Sequence, residues 1–97
     1  MERLRFSWRY KKAQTNLKKH GVDFHEASTV FSDEFAAEFF DPDHSETEER
    51  YLLVGISALL RILVISFCYR QNEEVIHIIS ARKATQKEQT YYRGRRK

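Results

Sequence analysis

Residues 50–80 read RYLLVGISALLRILVISFCYRQNEEVIHIIS, and this stretch decides the fold. Arg50 to Ser57 and Arg61 to Tyr69 are rich in Val, Ile, Leu and Tyr, so they read as neighbouring antiparallel strands. Glu74 to Ser80 alternates around Val75, Ile76, Ile78 and Ile79 as a central strand, reached through the polar hairpin loop Arg70 to Glu73. The link Ala58-Leu59-Leu60 contains no residue that favours a turn. Tyr51 to Tyr69 is also the longest apolar stretch, but Arg61 lies at its middle with Gly55 and two serines. A membrane-spanning helix needs about 20 mostly apolar residues. Two strands account for the stretch better.

On the N-terminal side, Phe35 to Phe40 reads as a further strand, stopped by the turn chemistry of Asp41-Pro42-Asp43, and His44 to Glu49 as an exposed polar loop. Arg9 to His20 has helical spacing, with Tyr10, Ala13 and Leu17 on one face and Gly21 at the C-cap. Asp23 followed by Glu26 resembles a capping box for a second helix, with Val22 stapled onto Ala27. Arg5 to Trp8 is a short strand or an extended lead-in. On the C-terminal side, Thr85 and Glu88 form another capping box, opening a helix over Gln86 to Tyr92. The expected architecture is α+β: a four-stranded antiparallel sheet (five with Arg5 to Trp8), two N-terminal helices and one C-terminal helix, the helices covering one face. The 97 residues make one domain, 1–97, with a single modest core.

Charge is unevenly placed. Seven of the 17 basic residues lie at or before Lys19 and seven from Arg82 onward, whereas Ser32 to Glu49 holds eight acidic residues and no Lys or Arg. Removing those eight negative charges from the net +3 leaves +11 on the rest. If the chain ends meet in space, they make a surface suited to phosphate, although such charges also serve solubility alone. Cys68, the one cysteine, has no internal partner and reads as a small buried apolar residue in a reducing compartment. Met1 to Lys19 is charged throughout and carries no secretory signal, so the cytoplasm is the expected location, with no membrane partner.

Three groups of residues, in order, resemble the BrnT toxins. The first is Lys19-His20-Gly21, Phe24, Glu26-Ala27 and Val30-Phe31 with Asp33. The second is Asp41-Pro42-Asp43-His44-Ser45, then Glu48-Glu49-Arg50 leading into a strand through Gly55. The third is Ile78-Ile79-Ser80-Ala81-Arg82-Lys83-Ala84-Thr85, with Glu88 and Tyr92. The resemblance implies a ribonuclease toxin of a type II toxin–antitoxin system, with a RelE/barnase-like fold, that arrests growth by cleaving RNA. It also implies a BrnA-like antitoxin that binds DNA, so that operator DNA is met only through the complex. Two positions depart from the pattern: His77 stands where an arginine is expected, and Ala58-Leu59-Leu60 replaces a Gly-containing turn.

RNA cleavage without a metal needs a base for the 2′-hydroxyl, cations for the phosphorane and an acid for the leaving 5′-oxygen. One Cys and four scattered His, without paired spacing, give little to a metal, so neither metal nor other cofactor is expected. Arg82, following the last strand, reads as a bidentate phosphate ligand or as a surface arginine beside a helix start. Arg70 joins it if the sheet register allows. Glu49 and Arg50 read either as general base and phosphate clamp or as a surface ion pair worth only ~0–1 kcal/mol. His20, ending a helix, is the candidate acid or base among the histidines, or merely closes that helix. Lys19, His77, Lys83 and Lys87 are candidate RNA contacts, and Tyr91 and Tyr92 candidate stacking platforms, with Trp8 placed in the core. The competing class is a non-catalytic nucleic-acid-binding or regulatory module of an operon repressor complex. Against it, no helix-turn-helix or ribbon-helix-helix signature is present.

Overall fold

The structure is a computed structural model describing residues 4–96. Five strands, β1 (Arg5–Ser7), β2 (Ala37–Asp41), β3 (Arg50–Ile56), β4 (Ile62–Arg70) and β5 (Val75–Lys83), form one sheet in the order β1-β5-β4-β3-β2. Four of them are antiparallel, as their sequences predict. The fifth corrects the purely antiparallel expectation: β1 pairs parallel with β5, Phe6 opposite Ile76 and Ser7 opposite His77, so the sheet is mixed. The apolar run 51–69 is thus divided between β3 and β4, and among the described residues no helix is long and apolar enough to cross a membrane.

The helices divide between the two faces, which corrects the expectation of a single covered face. Helix α1 (Tyr10–His20) and helix α2 (Phe24–Thr29) close the main core with Leu53, Leu63, Ile65, Phe67, Ile76, Ile78 and Ala81. Helix α3 (Gln86–Arg95) lies on the other face, where Tyr92 and Ala84 pack on Val54 and Val64. Because side chains alternate along a strand, β4 serves both layers: Leu63, Ile65 and Phe67 go one way, Val64 the other.

Helix ends follow the sequence closely. Gly21 is left-handed (φ 68°) and its N–H donates to Leu17 O, behind Lys18, Lys19 and His20 in a last turn where positive charge suits the helix dipole. Val22 and Ala27 are both fully buried. Thr85 and Glu88 make the full capping box of α3. At α2 the box does not form. Asp23 accepts from His25 N–H at 2.8 Å, but Glu26 turns inward.

Glu26 explains the turn that has no turn residue. Its carboxylate accepts from Arg61 through Nε (2.9 Å) and Nη2, and from the Ser57 hydroxyl (2.7 Å). The Ser57 hydroxyl in turn accepts from Leu59 N–H and Arg61 N–H, while Thr29 Oγ1 accepts from Ala58 N–H. Side chains from another element therefore hold the turn, with Leu60 forced to φ 62°. The Arg61 guanidinium outweighs burial and holds the Glu26 carboxyl below the usual carboxylate range.

Helix α1 is anchored by a polar residue rather than by the expected stripe: Tyr10 and Leu17 are exposed, and Asn16 is buried. Asn16 Nδ2 donates to Val22 O (3.0 Å) and Ala81 O (2.8 Å), and its Oδ1 accepts from Ala81 N–H (3.1 Å). Asn16→Ala leaves these groups unpaired in the interior. The expected result is a loss of at least about 2 kcal/mol, measured by urea unfolding.

Candidate active site

The part of the sheet that α3 leaves uncovered is organised by register. Asp41 pairs with Arg50 and Cys68 with His77, which also lies opposite Ser7; one step past the Tyr51–Phe67 pair, Arg50 meets Cys68. A row of Asp41, Arg50, Cys68, His77 and Ser7 thus crosses all five strands on the face opposite the main core. Beyond it come Leu52, Ser66 and Ser80, half-buried, and then Val54, Val64 and Arg82 under and beside α3. A bulge makes this possible. Ser66 pairs with Ser80 but Phe67 with Ile78, so Ile79 is an extra residue in β5. Five positions apart on a regular strand, His77 and Arg82 would face opposite ways. The extra residue brings both to one face.

The charged groups gather at the loop end of this face. Arg70 Nη2 donates to Glu48 Oε1 at 3.2 Å, and both side chains are part-exposed. The Arg70 guanidinium, aided by the Cys68 thiol and by the positive charge of Arg50, holds the Glu48 carboxyl below its ordinary range against partial burial. Burial raises the Cys68 thiol, and Glu48 adds to it. His77 is only 6% exposed, and its Nδ1 lies 2.8 Å from Ser7 Oγ. Burial, then the charges of Arg70 and Arg9, push this imidazole below its ordinary 6.5, with Glu48 pulling the other way. The neutral ring therefore predominates at neutral pH.

The sequence candidates divide accordingly. Arg50, Arg70 and His77 come together. Arg82 shares their face but not their end: it lies opposite Val64, while Arg70 is six residues along β4, about 20 Å away. There Arg82 makes a two-pronged pair with Glu88 (2.8 and 3.0 Å), whose carboxyl its guanidinium holds down to about 2. Glu49 does not join Arg50. It accepts instead from the hydroxyl of Tyr51 at 2.9 Å, a side chain that packs with the main core. The carboxylate that meets Arg70 is Glu48, one residue earlier in the loop before β3.

His20 and Lys19 end α1, in the layer behind the sheet, away from the arginines. Lys83 faces away from Arg82 and lines a cleft by α3, and Lys87 is exposed on α3. Tyr92 is no stacking platform: it is 1% exposed and its hydroxyl donates to Asp33. Tyr91, exposed and 5.8 Å from the Phe39 ring, is the accessible aromatic instead. Trp8 packs edge-on to Phe24 against the core, and His44 pairs with Asp41 at 2.9 Å. Among the described residues no three His, Cys, Asp or Glu side chains are grouped to hold a metal ion.

A mixed-sheet α+β domain whose half-open face carries arginines beside one ionised carboxylate is a domain suited to gripping a polyanion. Residues 8–88 match the model of the family described as ribonuclease toxin, BrnT, of type II toxin–antitoxin system, and the chain belongs to that family. Among solved structures it is similar to the ribonuclease toxin BrnT of Brucella abortus, determined at 1.1 Å. The identity is 27% and the TM-score 0.62, with 87% of this chain and 100% of that one covered. No curated protein matches. The family and the fold are those that the sequence resemblance implies.

His77 sets a pH dependence. With its folded pKa below the unfolded value, the unfolded chain takes up the proton first, so stability is full above 6.5 and declines as pH falls from there toward the folded pKa. In His77→Gln this part of the slope is expected to disappear, as read by urea midpoints between pH 7.5 and 5.

Proposed function

We propose that this chain cleaves RNA by metal-independent acid–base catalysis at the loop end of the open face, and that a BrnA-like DNA-binding antitoxin neutralises it. The single observation that carries the catalytic reading is Glu48, ionised and paired with Arg70 with Arg50 nearby, both side chains of the pair part-exposed where the loop before β3 meets the sheet.

In this reading a phosphodiester displaces the Glu48–Arg70 contact and lies against the guanidinium groups of Arg70 and Arg50. Glu48, released from its partner, accepts the proton of the 2′-hydroxyl as that oxygen attacks phosphorus. The arginines stabilise the dianionic phosphorane. The P–O5′ bond then breaks, leaving a 2′,3′-cyclic phosphate, and the 5′-oxygen takes a proton from water. His77, buried and neutral within the row, positions these groups through Ser7 and the strand rather than touching RNA. Arg82 and Lys87 serve phosphates further along the strand, and Tyr91 an unstacked base. Arg82 does so while tied to Glu88, which makes it a peripheral contact. The toxin is expected to act in the cytoplasm, where RNA and the antitoxin are found.

Cleavage of a single-stranded RNA by the purified chain, undiminished by a chelator, is the primary test. Glu48→Gln and Arg70→Ala are each expected to lower kcat by about 10²-fold or more, and Arg82→Ala by much less. If Glu49→Gln carries the loss and Glu48→Gln does not, the placement of the base is wrong. If purified wild-type protein leaves RNA intact, the enzymatic reading goes with it.

A further inference from the structure

The opposite end of the sheet holds a second feature that the catalytic reading leaves unused. Between the turn joining β3 to β4 and helix α3 lies a cleft of about 350 Å³. Ile56 and Ile62, a cross-strand pair, form its apolar wall, and Leu60 forms its lip. Leu60 is 79% exposed and Leu59 67%. Leu60 moreover holds a left-handed backbone (φ 62°), a conformation that strains a residue with a side chain. The turn therefore keeps two leucines in water, one of them on strained backbone.

The rest of the lining is Gln89, Tyr92 and four cations, Arg61, Lys83, Arg93 and Arg96. Arg61 is engaged by Glu26, and Arg96 stacks over Phe35 at 5.5 Å. Lys83 and Arg93 have no ion pair among the described residues. A cationic cleft suits either RNA or an acidic protein. The wall and lip decide between them. Bases stack on exposed aromatic rings, and the one ring here, Tyr92, is buried. Aliphatic side chains beside unpaired cations suit the apolar stripe and carboxylates of an amphipathic helix.

We propose that this cleft is a docking site for an acidic amphipathic helix of the antitoxin, its apolar stripe on Leu59, Leu60 and Ile62 and its carboxylates on Lys83 and Arg93. The inference rests on the toxin–antitoxin reading above. Ile56 lies six residues along β3 from Arg50, about 20 Å, so this grip is made away from the reacting phosphate. The antitoxin would then hold the toxin by a handle that RNA does not occupy.

The test measures binding of a purified BrnA-type antitoxin, encoded beside the toxin, by titration calorimetry, and cleavage of single-stranded RNA on the same samples. Leu60→Gly removes the lip while fitting the left-handed turn, so its thermal stability should equal or exceed that of wild type. Its Kd for the antitoxin is expected to rise about tenfold, and that of Arg93→Glu about tenfold or more, with cleavage rates within about twofold of wild type. Wild-type affinity in both variants would overturn the proposal. So would slowed cleavage with affinity retained, which would make the cleft an RNA subsite. Should the wild-type chain not cleave RNA, the catalytic reading fails while the affinities still decide the cleft.

Discussion

Side chains on a strand alternate between two faces, and in this protein that parity decides which charges can meet. The core takes one parity of β3, β4 and β5: Tyr51, Leu53, Phe67, Leu63, Ile76 and Ile78 all turn toward α1, α2 or the aromatic cluster beside them. Whatever remains is committed to the other face, half closed by α3. Arg50, Cys68, Arg70 and His77 are there because their neighbours are needed in the core. The bulge at Ile79 changes the phase once, so that Ala81 can continue the core while Arg82 joins the open side. A one-residue slip of β5 without it would send Arg82 into the apolar layer and Ala81 to water. Core packing and the placement of charge are therefore one constraint.

Such a face remains available only if the core is complete without it. Here polar side chains anchor the helical layer at its weakest points. Asn16 joins α1 to the backbone of β5, Glu26 joins α2 to the β3–β4 turn, and Asp33 accepts from Ile56 N–H and Phe35 N–H while receiving the Tyr92 hydroxyl. Burial resists ionisation of Asp33, but these donors outweigh it and keep its carboxyl below the ordinary range. Close packing supports the same corner. A Cβ on Gly55 would lie 2.8 Å from Val30 Cγ1 and 2.9 Å from Ala36 Cβ, so only glycine lets the segment after α2 approach β3. Since the carboxylates that anchor the core are already satisfied, Glu48 and Arg70 are left to each other on the surface.

Much of this was legible because it is local. The β-rich runs, the Asp-Pro-Asp stop, Gly21 and the Thr85–Glu88 box each state their structure within a few residues. The elements that escaped depend on partners far along the chain. Phe6 pairs with Ile76 only through the tertiary fold, so nothing near Arg5 announces a parallel edge strand. The turn at 57–61 is shaped by Glu26 and Thr29, about thirty residues earlier, and no turn propensity encodes that. Asn16 was hidden by its polarity, for a period-based reading assigns the buried stripe to Tyr10 and Leu17. At the site, Arg50, Arg70 and His77 could be found by residue type. Glu48 could not be, because it lies in the loop before β3, where strand alternation does not fix a side chain's direction. The bulge could not, because Ile78 and Ile79 read as two ordinary members of a strand.

The two ends of the sheet are chemically unlike, and the difference follows from what terminates them. At the loop end, the acidic segment 41–49 returns to the sheet beside Arg50 and Arg70, so positive charge there is met by a carboxylate on a loop rather than on a strand or an α-helix. At the other end, α3 is fixed by its capping box and by Tyr92, and its C-terminal arginines lie beside a turn already held by the buried Glu26 of α2. A phosphate entering the first end has only an exposed ion pair to displace, which costs little. A ligand at the second end meets Lys83 and Arg93, which hold no ion pair among the described residues, and apolar side chains already in water. The first arrangement suits a substrate that must come and go, the second a partner that stays.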